Sequence, residues 1–554
     1  MLAALIVSSV LAAAPIETEI RAVAALPGEP RVVSAAGVMR DETPILTIEN
    51  PDALDPAATK RRLVLVGGGG EGSAEAVVAA VRWFKTSAPR SLRQQWTVSA
   101  LPAASFEPAD MQSLPRWITF QAPDLVVTVG RDPLQAPMLS TGTPEGAPYE
   151  SVGAADAIPS LRKLMLATRG RSPLRQTLMA RVERQPLAIA RVLARRYPET
   201  PAISYIPALA WAQTLRLAAI TNDESLREKV RQQTRPWIAG EKPLFGDRVQ
   251  LTAVAGTLIF AEIAAGSAGD VPGHARGASF DSPLIPSPPK DERLAQDRPV
   301  GPRAGPETSG ERAAAQALAD QGVLRAAAEK APALPEYGQG WTDDMFMATA
   351  VLAPSGARAG HERDLDLAAR LLIEYAARLQ QPSGLFHHAT DGPAAWGRGN
   401  GFAALGLMET LTRMRPSHPA RAKVLEIYRR EMAAALANQA PDGMWRQIID
   451  AAGAYREETA TAMLMSAMAR GVRLGWLDRS HLPAIRRAWQ GLSAHITDEG
   501  AVIDVCASTG AGPTRRYYFD RPAVTGADDR GGAMALLAAL EMHELAKMWN
   551  SSRH

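Results

Sequence analysis

Cysteine is almost absent: the 554 residues include one, Cys506, so no disulfide can form within the chain, and this thiol reads as a small buried apolar residue. Net charge is small as well. Lys and Arg number 61 against 58 Asp and Glu, leaving +3 with no basic stripe interleaved with aromatics, so no nucleic-acid partner is expected. A long membrane-spanning apolar run is also missing. The run at 1–14 (MLAALIVSSVLAAA) is too short to cross a bilayer comfortably. It ends in small residues before Pro15, like the core and cleavage region of a secretory signal, but lacks that signal's basic start. These features predict a signal-like segment over 1–18, no stable membrane insertion, and export to the periplasm or cell envelope; without a functioning signal the chain would be cytoplasmic. They say nothing about oligomeric state.

What is present is an ordinary globular balance, 46% hydrophobic and 21% charged, in a chain too long for one compact domain. Residues 25–160 read as an α/β domain. RRLVLVGGGG (61–70) is a β-branched run ending in four glycines, SAEAVVAAVRWF is helical, and DLVVTVG (124–130) is a second strand. The glycine run lacks the lysine of a P-loop and the spacing of a dinucleotide fingerprint, so it reads as a tight turn, and no cofactor is expected.

From about residue 175 strands are expected to disappear, and 175–550 reads as helical apart from a Pro/Gly-rich excursion at 270–310. The C-terminal half repeats. Helices with Leu367, Leu371, Leu372, Tyr375 and Leu379 on one face, and two like it, end at Gly384, Gly443 and Gly500, 59 and 57 residues apart (443 − 384 and 500 − 443). Each glycine is followed by a loop and a second, alanine-rich helix that is apolar on all sides. Such hairpins in a closed ring make an (α/α)6 toroid, so the fold class is mainly α, preceded by a small α/β domain.

The loops leading into the inner helices of such a ring line one end of its hole. They carry Trp341, Asp343 and Asp344; His387 and His388; Trp396, Arg398 and Asn400; Glu457 and Glu458; and Arg521, Asp528 and Asp529. Acids at helix starts often only cap free amides. Capping does not require tryptophans beside them, however, whereas indole faces among carboxylates, arginine and histidine suit a sugar.

Residues 190–545 resemble glycoside hydrolase family 105, the unsaturated rhamnogalacturonyl hydrolases, with the unsaturated glucuronyl hydrolases next nearest. The matching motifs are WTDDMFM (341–347), GLFHHA (384–389), WGRGNGF (396–402), QAPDGMWRQIID (439–450), EETATAM (457–463), VIDVCASTG (502–510) and YYFDRPAVTGADDRGGAMALL (517–537). The resemblance implies an oligosaccharide substrate ending in a C4=C5 unsaturated uronate, hydrated across the double bond, with no metal. By motif it makes Asp343 the acid/base, assisted by His388, with His387 the alternative if the register is one off. Trp341 and Trp396 would stack on the sugar, Arg398 would bind its carboxylate or hydroxyls, and Asn400, Glu457 and Arg521 would complete the binding site. Asp344 reads as a structural cap. The family's second aspartate has its best candidate in Asp247, in LFGDRVQLTAVAG.

Two departures, Thr459 for the family's serine and GADDRGG for its Gly-Asp-His, suggest a different substrate. Other readings stay open: an inverting hydrolase using Asp343 and Glu457, a sugar epimerase, or a non-catalytic binding toroid. Residues 30–150 also resemble a zinc carboxypeptidase domain, with a glycine in place of the first metal ligand and only Glu71 kept. LPAASF (101–106) lacks that family's Asn-Pro-Asp, which implies a domain that is not a peptidase.

Overall fold

The computed structural model describes residues 16–68, 70–103, 113–130, 146–266, 309–330 and 334–551. The first 15 residues of the signal-like segment, and residues 267–308 of the Pro/Gly-rich stretch, lie outside them.

The N-terminal domain comprises α1 (16–25), β1 (Val32–Val38), β2 (Pro44–Glu49), β3 (Arg61–Gly67), α2 (Ser73–Thr86), α3 (Arg90–Gln95), β4 (Trp96–Leu101), α4 (Ser113–Phe120), β5 (Leu125–Val129), β6 (Tyr149–Val152) and α5 (Ala157–Ala167). Its sheet has the order β1-β2-β4-β3-β5-β6. The strands from β4 to β6 are parallel, and β1 and β2 form an antiparallel edge. Side chains alternate across the sheet with period two. Leu63 and Leu65 pack with α1, α2 and α5 on one face, while Val64 and Val66 pack with Leu114, Trp117 and Ile118 of α4 on the other. Burial on both faces explains why β3 and β5 read as apolar runs. Ile20 and Val23 of α1 belong to this core, so the domain begins before the expected residue 25. Helix α6 (Pro173–Glu183) follows and packs on the C-terminal half.

The remaining helices are α7 (Pro186–Arg196), α8 (Tyr205–Thr221), α9 (Glu224–Ile238), α10 (Leu251–Gly256), α11 (Leu258–Ala264), α12 (Ser309–Ala326), α13 (Thr342–Gly356), α14 (Glu362–Leu379), α15 (Gly397–Arg413), α16 (Arg421–Ala437), α17 (Glu458–Arg473), α18 (Leu482–Ala494), the short α19 (Arg515–Phe519) and α20 (Asp529–Ser551). Helices α8, α10, α13, α15, α17 and α20 touch in sequence, and α20 returns to α8, closing a ring. Outside it stand α7, α9, α12, α14, α16 and α18. Burial follows this division: nearly every residue of α13, α15 and α17 is buried, whereas α14, α16 and α18 bury one face. This is the (α/α)6 toroid expected from the hairpin repeat. The repeated glycines make the same left-handed turn, with φ of 98°, 89° and 80° at Gly384, Gly443 and Gly500, a conformation a Cβ disfavours.

Strands do not vanish after residue 175. β7 (Glu329–Lys330) pairs with β8 (Leu334–Pro335), and β9 (Val502–Cys506) with β10 (Ala523–Gly526). The motif VIDVCAS therefore belongs to a ribbon that holds the loop carrying α19.

The α/β domain docks on the loops feeding the inner helices. Glu49, fully buried, accepts from Trp117 Nε1 at 2.8 Å and from Arg456 at 3.2 Å. Arg456 also binds Asp442 at 2.8 Å and the Ala35 carbonyl at 3.1 Å. Arg446 donates to Ser34 at 3.2 Å, and Arg116 pairs with Asp504 at 2.8 Å. Such buried charge contacts fix an orientation more than they add stability.

Candidate active site

Helix α13 begins with Trp341 as N-cap, and its first turn carries Asp343 and Asp344. The two acids diverge. Asp344 accepts from the Gly340 N–H and the Tyr375 hydroxyl, each at 2.7 Å, and burial pushes its carboxyl up to about 6 despite those bonds. It braces the turn before the helix. Asp343 lies 3.1 Å through Oδ2 from His388 Nε2, and its other oxygen has no partner among the described residues. The neighbouring His387 is half-buried and does not contact it, so of the two histidines it is His388 that lies beside Asp343.

His388 is fully buried and held from every side. The Thr342 N–H donates to its carbonyl at 3.0 Å, and its own N–H donates to the Ala394 carbonyl at 3.0 Å. Its Nδ1 lies 3.0 Å from the Tyr518 hydroxyl. The rings of Trp341 and Trp396 are 5.4 and 4.4 Å away between centroids.

Several side chains expected to bind substrate turn inward. Arg398 is fully buried, donating to Thr459 Oγ1 at 2.9 Å, to the Ser508 carbonyl at 3.4 Å and to the Cys506 carbonyl. Burial opposes its charge, yet Cys506 and then Glu457 more than offset this and leave its pKa above the usual value. Asn400 spends its amide on the Phe386 backbone at 2.8 and 2.9 Å and on the Trp396 carbonyl at 2.9 Å, so it clamps the histidine loop with both amide hydrogens engaged. Glu457 is the N-cap of α17: it accepts from the N–H groups of Thr459 at 3.1 Å, Ala460 at 2.6 Å and Cys506 at 2.9 Å. Both of its oxygens are thus engaged in capping. Trp396 is fully buried and packs at a tilt of 46° against the His388 ring, leaving Trp341 as the indole on the cavity.

Arg521 is 6% exposed, with its guanidinium carbon 4.6, 5.0 and 4.7 Å from the ring centres of Trp396, Tyr517 and Tyr518. Ring faces hold its charge; none of its three nitrogens has a hydrogen-bond partner among the described residues. Asp247 is exposed, lacks a partner among the described residues, and is not on the cavity wall, where its neighbours Arg248 and Gln250 stand instead.

The cavity holds about 500 Å³, enough for a small oligosaccharide end. Asp343 and Trp341 line it beside Tyr205, Arg248, Gln250, Lys330, Glu336 and Gln339, none of which the motifs indicated. Tyr205 and Gln250 stand at the starts of inner helices α8 and α10, so the ring rule would have found them had those two helices been aligned with the repeat. Arg248 is a cation without a partner among the described residues. No cluster of three or more His, Cys, Asp or Glu able to hold a metal occurs among the described residues.

Residues 315–546 match the family profile described as Glycosyl Hydrolase Family 88. Over 192 residues the chain is 26% identical to the unsaturated rhamnogalacturonyl hydrolase YesR of Bacillus subtilis, spanning 33% of this chain and 54% of that protein. Over 167 residues it is 31% identical to Protein Atu3128 of Agrobacterium fabrum, spanning 26% of this chain and 70% of that protein. Among solved structures, a family 105 glycoside hydrolase of C. acetobutylicum aligns over 65% of this chain and 98% of its own, with TM-score 0.52 at 18% identity. A possible family 105 member from Salmonella enterica aligns over 69% and 97%, with TM-score 0.51 at 16% identity. These likenesses carry the toroid fold. With the profile lying across the helices that present Asp343 and His388, and a 31% identical relative covered over most of its length, the chain belongs to the group of glycoside hydrolases formed by families 88 and 105.

Proposed function

We propose that this chain removes a C4=C5 unsaturated uronic acid from the non-reducing end of oligosaccharides left by polysaccharide lyases, of rhamnogalacturonan type in the first instance. The observation that carries the reading is Asp343, facing the cavity beside Trp341 with His388 bonded behind it. The C4=C5 bond is a vinyl ether. Protonation of C4 by Asp343 leaves an oxocarbenium ion at C5; water adds there and returns its proton to the carboxylate. The C5 hemiketal then opens, and the hemiacetal freed at C1 releases the adjoining sugar. One carboxyl suffices and no metal is needed. Arg248 and Lys330, on the same wall, suit the uronate carboxylate. Relatives named as unsaturated rhamnogalacturonyl and 3S-rhamnoglycuronyl hydrolases favour the rhamnose-linked substrate over glycosaminoglycan fragments.

The test is the loss of ultraviolet absorbance of the double bond when purified protein meets lyase-treated rhamnogalacturonan, with lyase-treated glycosaminoglycan as the second arm. Activity only in the second arm moves the substrate to the glucuronyl class. Full activity of Asp343→Asn removes that residue as the acid. Equal cleavage of saturated glycosides would point to an ordinary two-carboxylate hydrolase, for which Glu336, exposed on the cavity, would be the partner to test. The intact Asp343–His388 pair argues against a purely binding role. The signal-like start leads us to propose export; fractionation of cells making the full chain tests it.

A further inference from the structure

We infer that Tyr518 is a positioning residue for the acid: its hydroxyl donates to His388 Nδ1, holds that imidazole neutral with its proton on Nε2, and so leaves the Asp343 proton on the oxygen facing the cavity. This rests on the proposed role of Asp343. The three groups form a chain, Tyr518 hydroxyl to Nδ1 at 3.0 Å and Nε2 to Asp343 Oδ2 at 3.1 Å. Its polarity follows from the partners. The Gly512 N–H reaches the Tyr518 oxygen at 3.4 Å and occupies one of its acceptor positions. Between a phenol and a neutral imidazole, the phenol is the stronger donor and the ring nitrogen the better acceptor. The hydroxyl hydrogen therefore points at Nδ1, the ring proton resides on Nε2, and Nε2 donates to Oδ2. The carboxyl's own proton is then confined to Oδ1, the atom without a partner among the described residues.

Without that lock the proton could pass inward. His388 charged on both nitrogens would pair with an ionised Asp343, which has no proton to give. The groups around the ring bear on that balance in different ways. Tyr518 withholds Nδ1, and Arg521, 4.7 Å from the Tyr518 ring centre, adds positive charge behind it that disfavours a second cation. Trp341 and Trp396 offer ring faces, Asp344 is turned to Tyr375 and Gly340, and Arg398 is tied to the Glu457 side. The fold places Tyr518 deliberately. Thr514 caps α19, the Gln447 side chain donates to the Tyr518 carbonyl at 2.7 Å, and a Cβ on Gly392 would come within 2.7 Å of the hydroxyl, so that glycine leaves it room.

Two readouts test this. In full-length protein with ¹⁵N-labelled histidine, the His388 signals, assigned by loss in His388→Gln, should show Nδ1 bare and Nε2 protonated; a protonated Nδ1 in the unsubstituted protein overturns the inference. That result does not depend on activity, so a failure of the substrate reading is distinguishable from a failure of the relay. In Tyr518→Phe, which keeps the ring volume, kcat should fall roughly ten- to a hundredfold with KM little changed, and the alkaline limb of the pH profile should move upward as the ion-paired form gains. Gly392→Ala, which displaces the hydroxyl without deleting it, should shift the limb the same way. An unchanged pH profile in both variants reduces Tyr518 to packing and refutes the relay.

Discussion

Glu457 separates the two mechanistic readings most sharply. In Glu457→Ala three buried N–H groups lose their acceptor, and the Arg398 guanidinium, 3.9 Å from the carboxylate, loses its opposite charge. Loss of the cap alone costs about 1 kcal/mol, and leaving a buried charge without its partner raises the total to about 4 kcal/mol. Glu457→Gln keeps one acceptor oxygen but not the charge, and should cost about 2 kcal/mol. For a toroid of about 370 residues the unfolding entropy is near ~0.8 kcal/mol per kelvin, so the alanine variant should melt about 5 °C lower and the glutamine variant about 2 to 3 °C lower. Calorimetry measures this, and initial rates at saturating substrate on the folded fraction measure the rest. Glutamine should keep kcat within about threefold of the unsubstituted protein, because Glu457 touches no reacting atom. A variant that melts normally but has lost its activity would make Glu457 the second carboxylate after all and refute the reasoning from its hydrogen bonds.

Other outcomes follow from the same contacts. Asp344 titrates near 6 in the fold against 3.8 for the free group, so the stability from its protonated form is complete below 3.8 and lost as pH rises through 6. Denaturant titrations should show Asp344→Asn gaining on the unsubstituted protein by up to about 3 kcal/mol between pH 4 and 7, and a constant gap contradicts this. A Cβ at Gly399 would meet Thr342 Oγ1 at 2.5 Å, Trp396 Cε3 at 3.1 Å and His388 Cδ2 at 3.5 Å. Gly399→Ala should therefore lower kcat at least about tenfold while the helix itself gains up to about 1 kcal/mol from alanine; unimpaired turnover would show that the histidine tolerates being pushed. Glu49→Ala strips the acceptor from Trp117 and Arg456 and should loosen the α/β domain by about 3 to 5 kcal/mol, visible as faster proteolysis between residues 167 and 186. Equal protease resistance would show that this cluster does not hold the domains together.

The ring was legible because its period is written locally: glycines at 384, 443 and 500 and the alternation of half-apolar with wholly apolar helices need no distant partner to be seen. Asp343 and His388 were legible for a related reason, as short motifs at helix starts. What local spacing could not give is the direction of a side chain in a first turn. Arg398 and Asp343 hold like positions on neighbouring inner helices, yet Arg398 is drawn inward by carbonyls about 110 residues on and Asp343 faces the cavity. Those partners lie on the β9 ribbon, which the sequence does not mark as strand beside so much helix. The cavity wall contributed by α8 and α10 was missed because those helices carry no distinctive residues at their starts, only Tyr205 and Gln250.

The contact that closes the ring has a consequence for how the chain is made. Helix α20 lies against α7 and α8, more than three hundred residues earlier in the sequence. Ring closure therefore has a high contact order and waits for α20 to leave the ribosome. Until then α8 and α17 expose the flanks that α20 will cover, with Leu536, Leu537 and Leu540 not yet available to fill them. A nascent chain of this design stays open, and prone to self-association, until α20 has been made, whereas the apolar core shared by α1, α2, α5 and the sheet draws on no residue beyond Met165 and can form ahead of it.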